Sequence, residues 1–278
     1  MRKIGKLISS LAVVVSAAAV SVGIAQAKIG QLIPHRAVYD LVPVGAAQQG
    51  GLRGRMVYEF KGDACEGYST NVRFVLENIS AQGQRVINDV RSTSFEDPDY
   101  TQFQSAMSTY MNNSLSGEMR GSAIREGEEF RIVHTKPENE DQTVAGDARM
   151  PTEYMEYILD GAEQGESFVS SRIIDGSPEG VEVMFSTAVI GAFQSGLGDT
   201  GSEPEIEKLN GLTGGFWPMT VSYFEPNPEN RSEEQPIYAV KFLVYQNGVS
   251  RDMTLVYPNF QLRGKLIDLK IFETANCQ

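Results

Sequence analysis

The sequence predicts an all-β domain with one short helix. Segments rich in Val, Ile, Tyr, Phe and Thr carry polar residues at alternate positions, the period-2 pattern of strands with one buried face. The pattern is clearest where Val181, Val183, Phe185 and Val189 alternate with more polar neighbours. Short turns separate the segments, which favours antiparallel pairing because parallel strands need long crossovers. A sheet of this size has to protect its edges, so a sandwich, a closed barrel and a strongly bent, coiled sheet all fit the pattern.

Ten strands are predicted individually. They span 37–43, 55–65, 68–78, 85–95, 100–111, 115–126, 181–190, 237–246, 249–257 and 260–272. Asn247 and Gly248 join two of these strands, and this pair is typical of a hairpin turn because both residues tolerate positive φ.

One helix is predicted over 151–161. Thr152 is the expected N-cap, and acidic residues follow it where the positive end of the helix dipole favours them. Gly161 is expected to end the helix. The apolar residues of one face are Tyr154, Ile158 and Leu159.

Residues 1–27 have the pattern of a cleaved secretory signal. Three basic residues precede an apolar run without acidic residues, and Ala25-Gln26-Ala27 fits the small-x-small cleavage pattern. An uncleaved membrane anchor is the alternative, since the run is nearly long enough to span a bilayer. Cleavage before Lys28 leaves 251 residues as a single β-rich domain, 28–278, with a net charge of −15 and no transmembrane segment. We therefore expect a soluble protein of the periplasm.

The net charge of the chain argues against two kinds of partner. A net charge of −12 for the whole chain argues against nucleic-acid binding, which depends on clustered Lys and Arg. The same excess of acidic residues disfavours docking on an anionic membrane surface.

Export decides how the two cysteines are interpreted. In an oxidising compartment Cys65 and Cys277 are most simply a disulfide, with two free thiols as the alternative. The loop closed by such a bond corresponds to roughly 5 kcal/mol in the chain-entropy model.

Several motifs suggest chemistry without completing it. Gly196, Gly198 and Gly201 fit a dinucleotide-binding pattern, but acidic residues follow where a helix should receive phosphate. Asp199-Thr200-Gly201-Ser202 resembles an aspartic protease loop, which needs a second carboxylate. The two histidines are far apart in the sequence, and a G-x-S-x-G elbow is missing. The sequence predicts no catalytic residue, metal site or cofactor.

The segment 214–219 has two interpretations. Trp217 is the only tryptophan and is flanked by Phe216 and Met219. It is either a core anchor at the start of a strand or part of an apolar surface that binds a peptide or an acyl chain.

Taken together, several segments resemble the EipB-like cell-envelope integrity proteins. The matching segments are 35–39, 151–153, 175–177, 217–218, 247–252 and Cys277. The resemblance covers the whole predicted mature chain, although Tyr154 stands where relatives often have His. It implies a periplasmic protein whose antiparallel sheet forms a spiral or broken β-barrel, with a disulfide between Cys65 and Cys277. It also implies a role in envelope maintenance under stress and a periplasmic tetratricopeptide-repeat partner.

Three functions follow as hypotheses. The first is a non-enzymatic periplasmic protein that supports envelope integrity by binding a protein partner or an envelope component. The second is a carrier of lipid or lipoprotein, because a curved sheet around an apolar cavity shields acyl chains from water. The third is a hydrolase of peptide or peptidoglycan that uses Asp199 or a dispersed Ser/His pair.

Overall fold

A computed structural model describes residues 31–45, 51–80, 82–139, 141–177, 180–225 and 235–274. The predicted signal sequence and Cys277 lie outside the described residues. The described part contains no helix that is both long and apolar enough to cross a membrane.

Sixteen strands, one α-helix and a 3₁₀ helix make up the regular structure of the described residues. The first nine strands are β1 (His35–Pro43), β2 (Arg53–Asp63), β3 (Gly67–Ile79), β4 (Arg85–Glu96), β5 (Gln102–Met111), β6 (Ser114–Glu126), β7 (Glu129–Lys136), β8 (Gln142–Ala145) and β9 (Ala148–Arg149). The helix α1 (Pro151–Glu163) follows. The remaining strands are β10 (Phe168–Gly176), β11 (Val181–Ile190), β12 (Gln194–Ser195), β13 (Gly215–Phe224), β14 (Tyr238–Tyr245), β15 (Ser250–Val256) and β16 (Gln261–Ile271). The 3₁₀ helix is Pro204–Leu209.

All the strands belong to one sheet. Its order is β8-β7-β6-β5-β4-β3-β2-β1-β16-β15-β14-β13-β11-β10-β9, with β12 paired beside β13. Neighbours are antiparallel except β9 and β10, which are parallel. The sheet curls until β11 approaches β7, where Nε2 of His134 lies 2.9 Å from both the carbonyl oxygen and the amide nitrogen of Val181. We call this junction of β7 and β11 the seam. Side-chain contacts and isolated hydrogen bonds hold it instead of a strand ladder, so the sheet forms a nearly closed barrel. The predicted all-β, broken-barrel class is confirmed.

The helix α1 closes one end of the barrel. Its buried residues Tyr154, Ile158 and Leu159 pack against Val169 of β10 and Trp217 of β13 in the largest hydrophobic cluster. The predicted apolar face of the helix is therefore the face that is buried. We call this the helix end of the barrel.

The ends of α1 differ from the prediction. The N-cap is Met150 with Pro151 as the first helical residue, and the backbone N–H of Met150 donates to the Glu153 carboxylate at 3.1 Å. Thr152 is the second residue of the helix, so the prediction that it is the N-cap was wrong. The helix also continues through Gly161 to Glu163, and Gly165 provides the positive φ of +82° after the helix. Gly161 serves packing instead, since an added Cβ there would lie 3.0 Å from the Val169 side chain.

The predicted Asn-Gly hairpin forms between β14 and β15. The turn has three residues, because the N–H of Tyr245 bonds to the carbonyl of Val249 at 2.9 Å. Gly248 alone adopts positive φ, +83°, while the Asn247 side chain accepts a bond from the N–H of Val249 at 3.2 Å. The sequence therefore located the hairpin but not its turn type, because a type I turn followed by a Gly bulge uses the same residues.

Candidate functional site

A cavity of about 330 Å³ occupies the barrel interior. This volume is at the lower end of the range for small-molecule sites. The lining comes mostly from alternate residues of β1–β5, β10 and β13–β15, together with one side of α1. The cavity therefore reflects strand alternation, which directs every second side chain of a strand toward the barrel interior.

One wall of the cavity is lined with hydroxyl groups. Thr70 of β3 pairs directly with Ser94 of β4, which pairs with Ser105 of β5, so the three form a row across the sheet. Ser92 extends this wall by one inward position. Small polar residues at these positions leave space in the interior while offering hydrogen-bond donors and acceptors along it.

The opposite wall is apolar and aromatic. It contains Ile173, Val221, Val240 and Phe242 together with Tyr223. A ligand that fits both walls has an apolar chain with polar groups along one side or at one end.

Asp175 is the one carboxylate among the residues that line the cavity. Burial raises its pKa to about 6, and its Oδ1 accepts a bond from the N–H of Gly176 at 2.8 Å. The rings of Tyr223 and Tyr238 are stacked 4.4 Å apart and interact electrostatically with Asp175. Burial is the main cause of the raised pKa of both phenols, and the negative charge of Asp175 raises it further. This part of the cavity is suited to a ligand group that donates a hydrogen bond.

A second buried carboxylate holds the start of α1. Glu96 at the end of β4 accepts bonds from the backbone N–H of Thr152 at 2.9 and 3.0 Å and from its hydroxyl at 2.7 Å. It therefore satisfies an orphan donor of the helix from a distant strand. Burial dominates over these bonds and raises the pKa of Glu96 to about 7.

This arrangement predicts a stability that falls as the pH rises. The ordinary pKa of the carboxyl is 4.5, so between about pH 4.5 and 7 the folded protein binds more protons at Glu96 than the unfolded chain does. The stabilisation from this group is complete below pH 4.5 and is lost as the pH rises through 7, by roughly 3 kcal/mol at most. Urea unfolding of the wild type and of Glu96→Gln at pH 5 and pH 8 measures it.

The difference between the two pH profiles isolates Glu96. Burial lowers the pKa of His35, so the contribution of His35 to stability increases with pH. This contribution is the same in both proteins and cancels in the difference. The pKa of Asp175 is raised like that of Glu96, and the contribution of Asp175 to stability cancels in the same way because both proteins contain it. Parallel profiles for wild type and Glu96→Gln would contradict the assignment.

The predicted apolar surface segment lies in the core. Phe216, Trp217 and Met219 are all buried in β13. Trp217 and Met219 pack in the cluster that contains α1, whereas Phe216 belongs to another cluster and contacts Tyr245 with ring centroids 5.3 Å apart. The three residues do not line the barrel cavity. A binding role for them stays a prediction.

The glycine-rich motif at 196–202 forms a structural loop. The carbonyl of Leu197 accepts bonds from the Tyr245 hydroxyl at 2.7 Å and from Nη2 of Arg251 at 3.1 Å. Asp199 is exposed, and its carboxylate accepts the N–H of Gly201 at 2.9 Å. The motif therefore wraps around a buried arginine. Glycine suits this close approach, because a Cβ on Gly198 would lie 2.9 Å from the Arg251 guanidinium.

Both histidines bond to the backbone. Nδ1 of His35 lies 2.8 Å from the carbonyl oxygen of Ile33, and His134 bonds to Val181 across the seam. Among the described residues no three His, Cys, Asp or Glu side chains are arranged to hold a metal ion.

Cys65 lies in the turn between β2 and β3, at the helix end. The last strand leads toward the same place: Ile271 pairs with His35, which pairs with Phe60 of β2. Beyond β16 the Phe272 ring lies 4.9 Å from Nζ of Lys61. The disulfide to Cys277 stays a prediction, because Cys277 is outside the described residues.

Sequence reasoning missed the residues of the cavity. Inward positions such as Thr70, Ser94 and Ser105 are small polar residues in strands, a pattern that resembles a solvent-facing side. The usable signal was the Ser and Thr content of β4 and β5 at alternate positions, but only the closed barrel decides which face is internal.

The comparisons with known proteins agree with this fold. The EipB-like family model matches residues 26–273. The cell envelope integrity protein EipB of Brucella abortus (strain 2308) is 37% identical over 254 residues, which cover 88% of this chain and 86% of that protein. A crystal structure of a β-barrel-like protein of a domain of unknown function from Brucella abortus matches with a TM-score of 0.78 and 35% identity, over 87% of this chain and 99% of that one. The chain therefore belongs to the EipB-like family.

Proposed function

We propose that this protein supports cell-envelope integrity as a non-enzymatic periplasmic protein that holds the apolar chain of an envelope component inside its barrel. The observation that carries the proposal is the interior cavity with one hydroxyl wall and one apolar wall. The envelope role rests on the name of the Brucella relative. The volume suits one acyl chain or a similarly small group rather than a whole multi-chain lipid.

A protein partner is the second candidate, and the resemblance to the family favours it. A periplasmic tetratricopeptide-repeat protein is the partner that the resemblance implies. Such a partner would bind the outer surface, so it is compatible with a ligand inside the barrel. The hydrolase hypothesis has less support, because Asp199 and both histidines are engaged with backbone groups.

Filling the cavity is expected to abolish ligand uptake. In Ser94→Phe a ring on the hydroxyl wall would occupy space in the cavity and lower the affinity for a fluorescent fatty acid at least tenfold. Thr93→Phe is the matched control, since Thr93 is exposed on the outer face of the same strand. Both variants are compared with wild type in a fluorescence titration after thermal unfolding has shown that they fold.

Native material provides the independent measurement. Mass spectrometry of the processed protein from its own periplasm should show a bound molecule with an apolar chain. The proposal fails if the wild type carries none and takes up no fatty acid, or if Ser94→Phe binds as well as Thr93→Phe.

A further inference from the structure

The polar groups of the cavity are concentrated near the end that α1 closes. The row of Thr70, Ser94 and Ser105 lies one inward position from Glu96, whose carboxylate holds the start of α1. All three hydroxyl residues line the cavity, and so does Thr152 of the helix. The hydroxyl wall therefore begins directly beside the helix.

Asp175 adjoins this row of hydroxyls. Gly176, the next residue of β10, lies so close to Ser105 that a Cβ on the glycine would overlap the Ser105 hydroxyl oxygen. Asp175 and Gly176 both line the cavity. The row and the carboxylate thus form one group of polar side chains, Thr70, Ser94, Ser105 and Asp175, which we call the polar corner.

The charge of Asp175 has no cationic counterpart in the lining. The described residues that line the cavity include no Lys or Arg. The lining histidine, His35, donates from Nδ1 to the Ile33 carbonyl at 2.8 Å, and burial lowers its pKa, so its ring is neutral. Burial raises the pKa of Asp175 to about 6, and Glu182, which pairs with Asp175 in the register of β10 and β11, adds to the increase. Above that pH the polar corner is anionic.

The same inner face becomes apolar away from α1. Two inward positions beyond the hydroxyl row, the register aligns Met56, Phe74 and Val90 across β2, β3 and β4. All three side chains are half-buried, and Met56 lines the cavity. An alkyl chain that extends from the polar corner along this wall therefore contacts apolar side chains on its way toward the end of the barrel opposite α1.

We propose that the cavity selects a neutral, hydroxyl-bearing amphiphile of the acylglycerol class, with its head group in the polar corner and its chain directed away from α1. The proposal rests on the proposed function, whose ligand it specifies. A ligand hydroxyl donates to the Asp175 carboxylate and also exchanges hydrogen bonds with Thr70, Ser94 and Ser105, because a hydroxyl both donates and accepts.

Other head groups fit the polar corner less well. An ionised carboxylate only accepts hydrogen bonds and brings a second negative charge close to Asp175, so the corner disfavours it. An ammonium group pairs with Asp175 but cannot accept hydrogen bonds from the three hydroxyls.

Head-group selectivity tests the polar corner. The processed protein is recovered from the periplasm of expressing cells and freed of bound molecules on a hydrophobic resin. Calorimetric titration at pH 8 compares monododecanoylglycerol, dodecanoate and dodecylamine, each below its micelle concentration. We expect the glycerol ester to bind about tenfold or more tightly than dodecanoate, and more tightly than dodecylamine.

Asp175→Asn removes the charge of the polar corner and keeps its volume. The affinity for dodecanoate is expected to rise about fivefold or more in this variant, while the affinity for the glycerol ester does not rise. Asp268→Asn is the matched control, because it removes one carboxylate from a side chain that is 51% exposed and paired with Arg36. It should keep the wild-type preference. Thermal unfolding establishes that both variants fold.

A photoreactive chain reports the orientation of the ligand. Monododecanoylglycerol with a diazirine at the chain terminus is irradiated in the complex, and mass spectrometry identifies the labelled peptides. We expect labels within 54–58, 72–76 or 88–92, on the inner face of β2–β4, and none on α1.

The outcomes separate this proposal from the cavity proposal. Equal or tighter binding of dodecanoate or dodecylamine would overturn the head-group assignment and leave the cavity proposal standing. So would a preference that Asp175→Asn leaves unchanged or that Asp268→Asn narrows equally. Labelling of α1 or of 173–176 by the chain terminus would overturn the orientation. If none of the three amphiphiles binds, the proposed function fails, and the head-group assignment fails with it.

Discussion

Arg251→Ala is expected to lower the free energy of unfolding by about 3–5 kcal/mol, the range for a broken buried ion pair. The side chains of Arg251 and Glu203 are 5% and 3% exposed, with nitrogen and oxygen 3.5 Å apart. Nε of Arg251 also donates to the Tyr245 hydroxyl at 2.8 Å. Without the guanidinium, the Glu203 carboxylate stays buried with its charge uncompensated.

The Glu203 carboxylate also completes the barrel wall. Its Oε1 accepts the backbone N–H of Leu266 at 2.7 Å and of Asp252 at 3.3 Å, at the place where the β15–β16 ladder has ended. Glu203 thus takes the role of a strand partner, and the 3₁₀ helix that follows it packs against β16. Loss of Arg251 therefore affects the loop, the ladder and the hydrophobic cluster together.

Arg263→Ala is the matched control for Arg251. Its ion pair with Asp252 joins side chains that are 60% and 43% exposed, so its loss should cost no more than about 1 kcal/mol. Denaturant unfolding at pH 7 measures both variants. Equal losses for the two would show that the buried network contributes no more than a surface pair.

Cys277→Ser is expected to lower the free energy of unfolding by several kcal/mol, with about 5 kcal/mol as the upper figure for so long a loop. The direction of β16 supports this expectation, since Ile271 pairs with His35 beside β2 and the Phe272 ring lies 4.9 Å from Nζ of Lys61, close to the turn that contains Cys65. A bond there would tie the first and last parts of the sheet at the helix end. Cys65→Ser should have the same effect.

Reduction provides the control for the disulfide. Reduced wild type should match both single variants in stability, and the double variant should be no less stable than either. Thiol labelling of unfolded, unreduced wild type should find no reactive thiol. Two reactive thiols, or single variants as stable as oxidised wild type, would contradict the bond.

The strands were predictable because their signal is local. Alternation placed β1–β6, β11 and β14–β16 close to their observed positions, and Asn247-Gly248 located a hairpin. The individually predicted strands did not include β7, β10, β13 or the short β8, β9 and β12. The two-residue β9 and β12 are too short to show a period, and they exist because neighbouring strands offer pairing partners.

The helix shows where local signals mislead. Thr152 is a good capping residue by type, yet its N–H and hydroxyl are both donated to Glu96, which is 56 residues away in the chain. Gly161 is a good terminator by type, yet it lies inside the helix, where a Cβ would come within 3.0 Å of the Val169 side chain. In both cases a tertiary contact decided a role that local preference had assigned differently.

By itself, the sequence determined that this chain is an antiparallel β protein with one short helix, because side-chain alternation and turn chemistry depend on near neighbours. Only the tertiary structure decided which face of each strand is internal, and hence that hydroxyl and apolar side chains enclose a cavity. It also decided that turns distant in the sequence share one end of the barrel, because antiparallel strands reverse the direction of the chain at every turn.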